Sequence, residues 1–217
     1  IAFGSCCPIQ YDPDQRIRNA VRALEPDMFL WLGDNIYADS DQPHALVDQY
    51  ARGRAVERLA PFLRTTPQLA TWDDHDFGFN GSDGTSPVKA ESLAVFKDFW
   101  ANPSYGEDGN PGVYFKQSYG GVDLFVLDGR YHRDPTTDPD TAAKTMLGPV
   151  QKAWLKRELK ASRAPFKVLA VGGGWSSAEN EEGGDSWAVF LTERNEIFDF
   201  IRDEAIEGVV LVSGDSH

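Results

Sequence analysis

Asp73-Asp74-His75-Asp76 follow directly on the apolar run Leu69-Ala-Thr-Trp72. Three carboxylates around one imidazole at the end of such a run are costly to bury without a cation. The chemistry they suit is metal binding with a histidine beside the metal. Asp74 is placed as a ligand. His75 is placed to give a proton to a leaving oxygen or to steady transition-state charge. Asp76, with Asn80 four residues on, either closes a second cation site or supports the first. The plainer alternative is an exposed acidic loop carrying a surface histidine.

The same pattern recurs along the chain. Met28-Phe-Leu-Trp-Leu-Gly33 leads into Asp34, and Tyr37 lies three residues further on. A carboxylate there can bridge two metals and a phenolate can bind a hard ferric ion; a helix N-cap beside a packing tyrosine would use the same residues. Asp215-Ser-His217 offers two ligand types at i and i+2 on an extended tip, or forms a surface turn. Cys6 ends the first apolar run and is a candidate thiolate ligand. Its neighbour Cys7 is the only other cysteine, and a vicinal pair is poorly placed for an ordinary disulfide. Arg130 and Arg133, after Val122-Asp-Leu-Phe-Val-Leu127, either grip phosphate oxygens bidentately or make a structural pair with Asp128. Gly172-Gly-Gly174 lacks the spacing of a dinucleotide fingerprint; it fits a close approach of the backbone to a ligand or a sharp strand-end turn. His44 reads as a surface residue, and His132 has a weak context.

Something must bring these clusters together. Six of them stand at the ends of short apolar runs bounded by turn residues, which read as buried strands. In open α/β sheets ligands bind beyond the carboxyl ends of the strands. Helical spacing is predicted for residues 13–25, 43–64 with a break at Gly53, 88–100, 149–161 and 189–206. Residues 113–118 and 122–128 read as a hairpin through Tyr119-Gly-Gly121, so a mixed sheet is expected. Long polar loops are predicted at 78–87, 102–112 and 133–147, and no linker divides residues 1–217, which read as a single domain.

A net charge of -13 argues against charge-driven binding of nucleic acid. No apolar run approaches the ~18–20 residues of a membrane helix. The chain begins at Ile1, so an upstream segment is expected to have been removed or left out. It stops at its last ligand cluster, so further polypeptide is expected after His217.

Taken in order, Phe3-Gly-Ser-Cys6, Leu32-Gly-Asp-Asn-Ile-Tyr37 and Ala70-Thr-Trp-Asp-Asp-His-Asp76 through Asn80 resemble one known family. Leu127-Asp-Gly-Arg-Tyr131, Leu147-Gly-x-x-Gln151-x-x-Trp154-Leu155, the Trp187 and Glu193-Arg194 region, and Ser213-Gly-Asp-Ser-His217 complete the pattern. It is that of the PhoD-like alkaline phosphatases, in the calcineurin-like metallophosphoesterase superfamily. The resemblance implies an α/β fold, a two-sheet sandwich of mixed β-sheets flanked by helices, here truncated after its last motif. It implies a site of iron and calcium, with Cys6, Asp34 and Tyr37 on the iron and Asp74, Asp215 and His217 as further metal ligands. His75 would be the catalytic histidine. From the residues themselves, Arg130 is expected to serve both catalysis and substrate binding, and Asn80 to bind substrate. Trp175-Ser-Ser177 stands where many superfamily members carry a histidine ligand. The expected function is hydrolysis of small phosphomonoesters or phosphodiesters by in-line attack of a metal-bound hydroxide. The alternative is a non-catalytic cation- or phosphoester-binding protein on the same scaffold. A periplasmic or extracellular location is implied as well.

Overall fold

Strands form where the apolar runs lie. The structure, a computed structural model, describes residues 1–10, 12–176 and 185–215. One sheet holds β1 (Ala2–Gly4), β2 (Phe29–Leu32) and β3 (Gln68–Thr71) in the order β1-β2-β3, all parallel. The second holds β4 (Phe115–Tyr119), β5 (Val122–Val126), β6 (Phe166–Val171) and β7 (Val209–Ser213), in the order β4-β5-β6-β7. Here β4 and β5 form the predicted antiparallel hairpin, while β5, β6 and β7 run parallel. The expectation of a mixed sheet therefore holds for the second sheet only.

Period-2 alternation divides each strand between two layers. Along β2, Leu30 and Leu32 enter the core between the sheets, where they meet Leu124 and Val126 of β5 and Ala170 of β6. Phe29 and Trp31 point the other way, into a core built with the helices of the first half. Phe125 of β5 with Leu169 and Val171 of β6 likewise face the helices of the second half. The result is a sandwich of two sheets with helices outside each. Strands buried on both faces are continuous apolar runs, which is why they were visible in the sequence.

The helices are α1 (Arg16–Ala23), α2 (Pro43–Arg54), α3 (Ala60–Thr65), α4 (Asp74–Phe77), α5 (Lys89–Phe99), α6 (Gly148–Ala161) and α7 (Leu191–Asp203). A short 3-10 turn at Trp187–Val189 precedes α7. Two details differ from the sequence expectation. The 43–64 region does split, but at residues 55–59; Gly53 sits inside α2. And α4, a single turn, forms within the acidic cluster itself. Its Asp73 and Asp76 make a reciprocal capping box, satisfying end groups that so short a helix leaves open. The long loop 133–147 is held by Lys144, whose ammonium donates to the carbonyls of Thr136 (2.9 Å), Asp138 (2.7 Å) and Val189 (3.0 Å).

Candidate metal centre

The carboxyl ends of both sheets press on one point, and glycines permit the approach. A Cβ at Gly33, after β2, would stand 2.6 Å from Asp73 Cβ. One at Gly172, after β6, would stand 2.6 Å from Asp73 Cγ, and one at Gly214, after β7, 2.4 Å from the Leu32 carbonyl oxygen. The close approach at Gly172 is therefore to the Asp73 side chain. A Gly172→Ala change is expected to push Asp73 out of place and cost about 1–3 kcal/mol of stability. Chemical denaturation measures this, and an unchanged midpoint would show that the strand ends do not press together. The backbone is strained here too: Cys6, Asp34 and Asp215 have φ of 54°, 52° and 69°, a region side-chain-bearing residues seldom occupy.

Two overlapping groups of side chains result. Ligand atoms of Asp34, Asp74 and His75 lie within 4.8 Å of one another, as do those of Asp73, Asp74 and Asp215. Asp74 belongs to both. Three of the carboxylates share one posture, one oxygen anchored and the other not. Asp34 Oδ2 accepts from Tyr37 OH (3.3 Å) and Cys6 Sγ (3.6 Å). Asp73 Oδ1 accepts from Arg130 Nε (2.5 Å), and Asp74 Oδ2 from the Gly81 N–H (2.7 Å). Their remaining oxygens, Asp34 Oδ1, Asp73 Oδ2 and Asp74 Oδ1, are buried without a hydrogen bond. Buried polar atoms are rarely left so, and oriented carboxylates with one unspent oxygen are what a hard cation requires. The residues present therefore fit a metal.

The electrostatics agree. Burial, then repulsion from Asp73, Asp74, Asp76 and Asp215, pushes the Asp34 carboxyl up to about 10. Burial also drives Asp73 upward, against the pull of Arg130. Burial and the Asp34 charge raise the Tyr37 phenol. Such a cluster holds protons at neutral pH in the metal-free fold, and a bound cation would favour the ionised carboxylates in their place.

The neighbouring residues take definite roles. Asp76 accepts from the N–H of Asn35 (3.1 Å) and of Asp73 (3.1 Å) and from Tyr50 OH (3.0 Å). Its oxygens are spent, so it supports the site rather than closing a second cation site. Arg130 is fully buried (0%). Besides Asp73 it holds Asp185 (2.6 Å) and the Ser82 carbonyl (3.1 Å), while its Nη2 stands 3.7 Å from Asp74. This corrects the expectation of a phosphate grip: the guanidinium is buried, its Nε and Nη1 donate to Asp73, Asp185 and Ser82, and its Nη2 is left without a hydrogen bond beneath the surface. It also corrects the expected pairing with Asp128, whose oxygens instead serve Trp72 Nε1 and the backbone of Val113, Arg130 and Tyr131. Burial would raise the Asp185 carboxyl, but Arg130 and Arg133 hold it down at about 2.

Cys6 Sγ lies 3.5 Å from the Asp215 carbonyl oxygen, beside Asp34. Cys7 turns away and meets Gln15 Oε1 at 2.5 Å. The structure therefore brings together Cys6, Asp34, Tyr37, Asp74, His75 and Asp215. Asn80 is exposed just beyond them, and His44 is exposed at the start of α2. His132 Nε2 contacts the Pro111 carbonyl (2.8 Å). His217 and Ser177 lie outside the described residues.

Sequence reasoning missed Asp39. Its Oδ1 stands 2.5 Å from His75 Nδ1. An ionised carboxylate only accepts, so Nδ1 carries the proton and Nε2 is left for other work. The Tyr37 ring lies against the imidazole with centroids 4.3 Å apart. Asp39 follows no apolar run, and its one local signal is the polar stretch Asp39-Ser-Asp41 after Tyr37. Asp185 escaped notice for the same reason.

Comparison with known proteins places this geometry. Residues 46–217 match the sequence model of a family described as PhoD-like phosphatase. Alkaline phosphatase D of Bacillus subtilis (strain 168) is 26% identical over 200 residues, covering 78% of this chain and 34% of that protein. The chain thus spans about a third of the length of this curated relative. A solved structure of PhoD superposes with a TM-score of 0.80 at 22% identity, over 99% of this chain and 50% of the other. Purple acid phosphatase PPD1 from yellow lupin (Lupinus luteus) seeds gives 0.59 at 14% identity, over 97% of this chain and 34% of the other. A dimetal phosphatase from Danio rerio gives 0.63 at 12%, over 96% and 72%. These structures share the two-sheet fold.

Proposed function

The chain belongs to the PhoD-like phosphatase family, and from that premise we propose that it hydrolyses phosphoesters at a metal centre on its converging strand ends. The observation that carries the reading is the set of three buried carboxylates, each with one oxygen hydrogen-bonded and the other buried without a hydrogen bond. When bound, divalent metal supplies Lewis acidity toward the phosphoryl oxygens and lowers the pKa of water. Everything else is the work of the protein's own side chains.

Asp34, Asp73, Asp74 and Asp215 would hold the metal, with Cys6, Tyr37 and His217 completing the donor set. A corner with thiolate and phenolate donors suits iron, and the all-oxygen corner of Asp73, Asp74 and Asp215 suits calcium. Arg130 and Gly81 orient two of the carboxylates. His75, held at Nδ1 by Asp39, has a ring nitrogen within 4.8 Å of Asp34 and Asp74 oxygens. In the imidazolium form it is placed to give its Nε2 proton to the leaving oxygen. Asn80 faces the substrate side. The substrate is a small phosphomonoester or phosphodiester. No helix among the described residues is long and apolar enough to cross a membrane. A periplasmic or extracellular location belongs to the same proposal, supported by the motif resemblance and checked by cell fractionation.

The test is hydrolysis of a chromogenic phosphomonoester and phosphodiester with iron and calcium supplied, read together with the visible spectrum. Turnover is expected, with a ligand-to-metal charge-transfer band that Cys6→Ala weakens or shifts and Cys7→Ala leaves alone. Metal-loaded protein that cleaves neither ester overturns the hydrolase reading. A colourless, iron-free and fully active protein overturns the iron assignment.

A further inference from the structure

The loop that follows α4 lines a groove of about 250 Å³. One wall is Asp41, two residues beyond Asp39; the other is the loop 78–88 that follows α4. That loop is tied to the metal centre. The Gly81 N–H donates to Asp74 Oδ2 (2.7 Å), the Ser82 carbonyl accepts from Arg130 Nη1 (3.1 Å), and the Gly84 N–H donates to the Arg133 carbonyl (2.8 Å). None of the metal-centre side chains lines the groove; Gly81, which lines it and donates to Asp74 Oδ2, joins the two.

The chemistry of the groove is one-sided. Its lining contains two carboxylates, Asp41 and Asp83, and no lysine, arginine or histidine. The arginines behind the loop, Arg130 and Arg133, are buried and paired with Asp73 and Asp185. The Lys89 ammonium is taken up by the carbonyls of Gly84 (2.7 Å) and Tyr131 (3.3 Å). Uncharged donors and acceptors at Asn80, Ser82, Thr85 and Ser86 complete the polar lining. On the same wall stands Phe79, 53% exposed, although Trp72 and Phe77 nearby are fully buried. An exposed ring beside a polar cleft offers a flat apolar partner a place to lie.

We propose that this groove is the leaving-group subsite: it takes an uncharged group with a flat apolar face against Phe79 and disfavours groups that carry anionic charge of their own. The inference rests on the hydrolase reading for the identity of the phosphoryl end. An anionic substituent entering the groove meets two carboxylates and no counter-charge among its lining residues. A neutral amide or hydroxyl can instead donate to those carboxylates.

The experiment is calorimetric titration of the calcium-loaded protein with two arylphosphonates, one bearing a para carboxamide and the other a para carboxylate. Neither is hydrolysed, so the readout does not depend on turnover. The carboxamide is expected to bind about tenfold more tightly, with a gap that narrows as salt is raised. In the Asp41→Asn/Asp83→Asn double variant the gap is expected to shrink to about threefold or less. The carboxamide placed at position 83 keeps a carbonyl oxygen for the Thr85 contacts that Asp83 Oδ1 now accepts. Phe79→Ala is expected to weaken both ligands alike. Equal affinities in the unaltered protein, an unchanged ratio in the double variant, or no binding of either phosphonate would overturn the subsite. Discrimination by a protein that cleaves no ester would support the subsite and overturn the hydrolase reading instead.

Discussion

Exhaustive chelation is expected to abolish hydrolysis and lower the melting temperature, by an amount that grows as pH rises from about 4 to about 10. The loss of activity follows if the metal supplies both the Lewis acid and the activated water. The loss of stability follows from linkage: a metal at 100 to 1,000 times its Kd contributes about 3–4 kcal/mol to the native state. The pH dependence comes from Asp34. Its ordinary value of 3.8 is pushed up to about 10 in the metal-free fold. A carboxyl raised in this way binds its proton more tightly when folded. The metal-free protein is therefore most stable below the unfolded value and loses that stability as pH rises through the folded one. A bound cation favours the ionised form and removes the penalty. Thermal melts of loaded and chelated protein across this range measure the difference, with elemental analysis to prove removal. Full activity without metal, or a gap that does not widen with pH, would exclude the carboxylate cluster as the metal site.

Replacing His75 with alanine is expected to cut turnover of an alkyl phosphoester about 10²–10⁴-fold. An ester with a good leaving group, such as a nitrophenyl ester, should suffer far less, because its oxygen departs without a proton. Metal content should change little, since Asp34, Asp73, Asp74 and Asp215 remain. Asp39→Ala is expected to move in the same direction by about 10–100-fold, as loss of an orienting partner does. The dependence of rate on leaving-group pKa separates this from general damage to the site: it should steepen in both variants. A normal rate of the His75→Ala variant on the alkyl ester would remove the imidazole from the mechanism, and Asp39 with it.

Much of the scaffold was legible in the sequence. Met28–Leu32, Val122–Leu127 and Phe166–Val171 are continuous apolar runs because both faces of those strands are covered, one by the opposite sheet and one by helices. Their ends carry ligand-grade residues, and strand ends on one edge of a parallel arrangement share a location. Five of the expected metal ligands, Cys6, Asp34, Tyr37, Asp74 and Asp215, accordingly meet in one place with His75. Cys6 faces that place while Cys7 does not, as the end of the first strand implied.

The roles inside the acidic cluster were not legible. Asp73, Asp74 and Asp76 are near neighbours in the chain, but Asp73 caps α4 with an extended backbone while Asp74 and Asp76 lie within it, where each residue turns by about 100°. Each then meets a different distant partner: Asp73 meets Arg130, 57 positions away, and Asp76 meets Asn35, 41 positions away. The same holds for Arg130, which the chain presents beside Asp128 and the fold delivers to Asp73 and Asp185, and for Asp39, which reaches His75 from 36 positions away. Residue types and apolar periodicity, both local properties, determined that this protein would carry a metal-grade cluster on converging strand ends. Which carboxylate is a ligand, which is scaffold and which group holds the histidine depend on the oxygens left unspent after long-range hydrogen bonding, and only the tertiary structure decides that.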